Sequence, residues 1–174
     1  MRHVILCNEQ GSPTGITDIE AAHEVPGKLH RAFSVFVFSN NGKKLLMQKR
    51  ANGKLFGLLW TNTCCSHPQD GRDIVKEAEN RLKEECGFTC PLQEHSSFVY
   101  SAEDSNKGTE HEYDTILTGN VEADSVSPNP NPEEVADLQW ISLDELQEKL
   151  NGYPESFTPW FPIALQRIIR DLNG

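Results

Sequence analysis

The chain has 174 residues, which suits one compact domain with a real core. Its 16 Lys and Arg stand against 26 Asp and Glu, a formal net charge of -10, which excludes nucleic acid and anionic membrane surfaces as expected partners, since both need a basic face. No run reaches the length of a membrane span, the opening MRHVILCNEQ is too briefly apolar for a secretory leader, and five irregularly spaced cysteines predict a reducing, cytoplasmic setting.

In chain order, residues 3–7 read as a short strand, and GSPTG (residues 11–15) as a turn. Thr17 with Glu20 offers a capping box for a short helix through Ala22, which Pro26-Gly27 ends. Residues 32–39 (AFSVFVFS) predict a buried strand. Asn41-Gly42 is a hairpin signal, and residues 44–50 form the return strand. Residues 58–63 read as extended. From Gly71 to Cys86 the period becomes helical: Ile74, Val75, Ala78 and Leu82 share a face, and Gly87 caps the end. Residues 95–102 and 110–121 are strands joined by the polar loop EDSNKG. SPNPNPEE is a loop, residues 137–141 a strand, and residues 143–150 a helix. Thr158 caps a last helix with Pro159 at its first position and a stripe of Leu165, Ile168, Ile169 and Leu172. The pattern is an α/β (α+β) domain, a mixed sheet with packed helices, over residues 1–174.

Three groups of residues carry chemistry. Glu110 and Glu112 alternate on a strand and so share one face. Such a pair is tolerated in water, as at a solvated strand edge, or with a cation between the two. His23, His30 and His67 are imidazoles that, with two carboxylates, suit Mn2+, Zn2+ or Mg2+; His3 and His95 connect to nothing. WTNTCCSHP (residues 60–68) holds two thiols beside His67. A bridge between the adjacent Cys64 and Cys65 would be strained. A zinc knuckle would need Cys86 and Cys90 as partners, and would leave the other histidines unused.

RLKEECGF (residues 81–88) resembles the second half of the Nudix box, matching at Leu82, Glu84, Glu85, Gly87 and Phe88. The rest of that box departs: Ser66, Arg72, Asn80 and Arg81 stand where its Gly, Glu, Arg and first metal-binding Glu would be. An active Nudix hydrolase of nucleoside diphosphate derivatives is thus the weaker reading. AAHEVPGKLHRAFS, WTNTCCSHP, RLKEECG, EHEYD and TPWF, in that order, resemble the type I isopentenyl-diphosphate delta-isomerase family over residues 14–161.

The resemblance implies a Nudix-like mixed sheet sandwiched by helices, with an extra N-terminal strand and helix. It implies interconversion of isopentenyl and dimethylallyl diphosphate through a tertiary carbocation, in isoprenoid biosynthesis. It assigns a divalent metal to His23, His30, His67, Glu110 and Glu112, and a Mg2+ that bridges the diphosphate to Glu85. It makes Cys65 the catalytic thiol, Glu112 the second proton-transfer group, and Tyr100 and Trp160 the aromatics by the alkene. Arg50, Lys54 and Arg81 match basic residues near the diphosphate. The expected partner is the small-molecule diphosphate alone, and the expected state a monomer. Ile19 and Glu20 stand where the family often has a lysine, and KLFGLLW lacks the family's usual Pro-Gly before WTNT, at the segment that carries Lys54.

Overall fold

HRAFSVFVFS is apolar at nearly every position, and a strand of that kind is stable only when covered on both faces. It forms β3, the spine of the sheet. The strands are β1 (His3–Cys7), β2 (Pro13–Asp18), β3 (His30–Ser39), β4 (Lys44–Arg50), β5 (Trp60–Thr61), β6 (Cys64–Ser66), β7 (Gln93–Asp104), β8 (Gly108–Val121) and β9 (Val135–Ser142). The helices are α1 (Ile19–His23), α2 (Ile74–Cys86), α3 (Leu143–Gly152) and α4 (Phe161–Asn173). This computed structural model describes residues 2–105 and 107–174. Asn106, expected in the EDSNKG loop, and the side chain of Leu172, expected in the last apolar stripe, lie outside the described residues.

β3 runs parallel to β8, from His30 opposite Glu112 to Ser39 opposite Val121. β7 lies antiparallel on β8. On the other side, β3 meets β4 and β6 antiparallel, and β4 continues into β9. β1 links β2 to β3. The pleat divides β3 between two cores. Phe33, Val35 and Val37 pack with Ala78, Leu82 and Cys86 of α2. Phe36 and Phe38 pack with Leu146 of α3 and Phe161, Ala164, Leu165 and Ile168 of α4. The sheet is thus sandwiched between α2 and the α3–α4 pair.

Several boundaries differ from the sequence-based expectation, each for a local reason. Residues 13–15 belong to β2 rather than a turn. The reversal occurs earlier, where Asn8 Oδ1 accepts from the amides of Gln10 and Ser12 and Gly11 takes φ 77. Thr17 lies in β2 opposite Val4, so Asp18, not Thr17, precedes α1, and it caps no amide with its side chain. Gly71 sits at φ 71, outside helical space. α2 therefore starts at Ile74, where the Asp73 carboxylate accepts from the Lys76 amide at 2.9 Å. Gly87, at φ 79, ends α2 as expected. Of residues 58–63 only Trp60–Thr61 is strand, because Leu58 takes φ 66. Thr158 does not cap α4: its hydroxyl donates to Thr61 Oγ1 at 2.8 Å, and Trp160 holds the N-cap position.

Candidate metal centre and substrate cavity

Four separate elements bring the metal candidates to one end of β3. α1 ends at His23, β3 begins at His30, His67 follows β6, and β8 carries Glu110 and Glu112. The parallel register sets His30 directly beside Glu112. One ligand atom from each of the five residues lies within 4.8 Å of all the others. The three imidazole centroids are 5.0, 5.1 and 5.7 Å apart.

His67 Nε2 lies 2.9 Å from Glu112 Oε1, within hydrogen-bond distance, but the other ligand atoms lack such a partner. His23 Nε2 and Glu110 Oε2 are 3.3 Å apart, yet each is buried without a hydrogen bond. His30 Nε2, 3.4 Å from Glu112 Oε1, is likewise unpartnered. His30 Nδ1 lies 2.7 Å from the Lys28 carbonyl and donates to it, which turns Nε2 toward the cluster; burial acts to lower His30, but the adjacent Glu112 outweighs it and raises it. Burial pushes His67 well below the usual imidazole range, with the His30 charge adding to it, so His67 is neutral. Burial and the neighbouring Glu112 charge raise Glu110. Burial also acts to raise Glu112, but His30, Glu110 and Tyr100 outweigh it and hold it at about 2. Two buried carboxylates side by side among buried imidazoles are an unfavourable arrangement that a divalent cation relieves. The donor set fits one. The solvated strand edge is thereby excluded for Glu110 and Glu112, which are 5% and 7% exposed.

The centre opens into a cavity of about 180 Å³. Cys65, Tyr100 and Trp160 line it together with Arg50 and Lys54. The cysteine doublet divides because neighbours on a strand point opposite ways. Cys64, opposite Val35, is buried in the core under α2. Cys65, opposite Ser34, faces the cavity. Burial pushes the Cys65 thiol up to about 12, so it keeps its proton. Its sulfur lies 3.1 and 3.3 Å from the side-chain nitrogen and oxygen of Asn62, and 3.7 Å from Ser34 Oγ. Ser34 donates in turn to Asp114 at 2.7 Å. The Tyr100 hydroxyl donates to Glu112 at 2.6 Å, and the Tyr100 and Trp160 rings are 5.6 Å apart. The Arg50 guanidinium sits 5.1 Å from the Trp160 centroid.

Arg81 and Glu85 lie outside the cavity wall, and Lys54 is on it. Arg81, on α2, pairs with Glu84, Glu85 and Glu134, at 2.7 Å for Glu84. Lys54, although on the wall, pairs with Glu134. Glu85 is buried between Arg81 and Gln48, apart from the five-donor cluster. Sequence reasoning missed Asn62, Arg2 and Ser34. Asn62 stands within WTNTCCSHP, but an amide between two threonines signals no chemistry of its own. Arg2 stands far from every motif, and its place emerges only when β1 is laid beside β3.

The family model for the NUDIX domain matches residues 28–161, and with the mixed sheet and flanking helices it defines the class of protein as a Nudix-fold enzyme. A crystal structure of a protein from Deinococcus radiodurans has the same fold, with a TM-score of 0.71 at 17% identity over 95% of this chain and 97% of that one. Curated relatives narrow the class. An isopentenyl-diphosphate Delta-isomerase of Nocardia farcinica is 42% identical over 164 residues, 94% of this chain and 92% of the relative. Isopentenyl-diphosphate Delta-isomerase 2 of Photorhabdus laumondii is 42% identical over 171 residues, 98% of this chain and 92% of the relative. The chain belongs to the isopentenyl-diphosphate Delta-isomerase family.

Proposed function

We propose that the protein interconverts isopentenyl and dimethylallyl diphosphate for isoprenoid biosynthesis. The observation that carries this reading is a five-donor metal cluster opening into one cavity whose walls hold a protonated thiol, a phenol and an indole. His23, His30, His67, Glu110 and Glu112 hold a divalent ion (Mn2+, Zn2+ or Mg2+), and Glu85 serves a Mg2+ on the diphosphate. When bound, the first ion neutralises the paired carboxylates and raises the acidity of groups hydrogen-bonded to them.

The residues of the chain supply the rest. The reaction adds a proton to one alkene carbon and removes one from another, so a donor and an acceptor must both touch the substrate. Cys65 is one exchanger and Glu112, hydrogen-bonded by Tyr100, is the other. The tertiary carbocation between the two steps accepts no hydrogen bond. The Trp160 face stabilises it by about 2 kcal/mol once water is excluded. Trp160 is 2% exposed, and Phe56 packs edge-on against it at 5.6 Å, which keeps water from the cation. Arg50 and Lys54 on the cavity wall hold the diphosphate, and Arg81, outside the wall, shares Glu134 with Lys54 and supports that end of the site. Arg81 fits a binding role better than a hydrolytic one, because it stands where a Nudix hydrolase places a metal-binding glutamate.

All these groups come from one chain, and we infer a monomer. The five cysteines are unbridged, which fits the cytoplasm. The test incubates the purified protein, Mg2+ and isopentenyl diphosphate in deuterated water. Dimethylallyl diphosphate carrying deuterium is expected. Absence of product, or release of phosphate from nucleoside diphosphate derivatives instead, overturns the reading.

A further inference from the structure

The cations near the proposed diphosphate end are not equivalent. Lys54 and Arg81 already have carboxylate partners in Glu134, Glu84 and Glu85. Among the described residues, no carboxylate comes within ion-pair distance of Arg2. Its guanidinium donates to the neutral hydroxyl of Ser66 and lines the same cavity as Cys65 and Trp160. The side chain is half-buried. Burial, and then the like charge of Arg81, lower its pKa against the opposing pull of the Glu134 and Glu85 charges. The position is built rather than incidental: the Arg2 carbonyl accepts from the Ile19 amide at 2.9 Å, and the next residue, His3, pairs with Asp18 in the sheet.

A half-buried guanidinium without a direct ion-pair partner is costly, and an anion in the cavity removes that cost. The guanidinium fork matches the oxygens of a diphosphate. We propose that Arg2 is a substrate-binding residue that donates to the diphosphate. This rests on the isomerase reading above. The diphosphate does not change during reaction, so the contact is equal in ground and transition states. Its loss raises KM and leaves kcat nearly unchanged. A hydrogen bond to a charged group corresponds to a KM increase of about 10- to 100-fold.

The test compares wild type, Arg2→Ala, Arg2→Lys and the double variant Arg2→Ala with Ile19→Lys. Each is assayed for KM and kcat with isopentenyl diphosphate and for calorimetric binding of inorganic pyrophosphate with Mg2+. Ile19 lines the same cavity beside Arg2, so a lysine there returns the cation from a neighbouring point on the chain. Arg2→Ala is expected to weaken pyrophosphate binding and raise KM together, Arg2→Lys to lie between, and Ile19→Lys to restore both in part. An Arg2→Ala protein with a lower melting temperature but unchanged KM and pyrophosphate affinity overturns the proposal, as does failure of Ile19→Lys to restore either. Pyrophosphate binding that depends on Arg2 in a wild type without isomerase activity sinks the isomerase reading alone, so the two failures are distinguishable.

Discussion

Replacement of Asn62 by alanine perturbs the cavity while leaving every candidate metal donor and both proton-transfer residues in the chain, although it removes a hydrogen-bond partner of Cys65. Asn62 is fully buried. Its side-chain oxygen accepts from the Trp160 indole at 3.2 Å, the Thr61 hydroxyl at 2.8 Å and the Cys65 thiol at 3.3 Å. Its nitrogen donates to the carbonyls of Cys64 and Val35 at 2.8 and 3.2 Å. Val35 retains the Thr63 amide as a donor, so its loss matters less. The Trp160 N–H and the Thr61 hydroxyl are the groups left worst off, and a buried polar group left unsatisfied costs about 1–3 kcal/mol. The expected destabilisation is therefore about 2–5 kcal/mol. For a chain of this length that is a fall in melting temperature of very roughly 5–15 °C. Trp160 and Cys65 lose their common anchor, so kcat falls more than KM rises. Thermal unfolding by circular dichroism and steady-state kinetics below the transition check both effects. A melting temperature within 2 °C of wild type, or an unchanged kcat, refutes the claim that Asn62 holds the thiol and the indole in place.

Cys65→Ala is expected to abolish isomerisation while Cys64→Ala retains it with some loss of stability, and a dead but folded Cys64 variant refutes the assignment of the chemistry to Cys65. Removal of divalent metal by a chelator is expected to lower the melting temperature, with recovery on adding Mn2+, because Glu110 and Glu112 then repel without a cation. An unchanged transition in the metal-free protein excludes ligation by this cluster. Stability is also expected to decline in alkali. The folded Cys65 thiol keeps its proton to about 12, whereas the unfolded thiol ionises near 9.0. Its contribution is complete below pH 9 and is lost as pH rises toward 12. Urea midpoints at pH 8 and pH 10.5 measure the decline, and Cys65→Ser should lessen it while the other buried thiols keep their share; an identical slope in that variant removes Cys65 as a cause.

The periodic elements were legible from local pattern because burial imposes a period on the residues that create it. β3, α2 and the alternation of Glu110 with Glu112 followed directly, and so did the opposite facing of Cys64 and Cys65. The turn at Asn8 and the true starts of α2 and α4 were not, since each depends on one side chain choosing among several competing partners. Thr158 has the chemistry of a cap, but its hydroxyl is taken by Thr61 across the fold. The sequence by itself named the candidates for metal binding and proton transfer, because ordered motifs name side chains irrespective of their distance. Only the tertiary structure decided that His23, His30, His67, Glu110 and Glu112 converge. The register of β3 against β8 and the return of α1 to the end of β8 are long-range packing choices, with no signature in any local stretch. The same holds for Arg2, which reaches the cavity only because β1 lies beside β3.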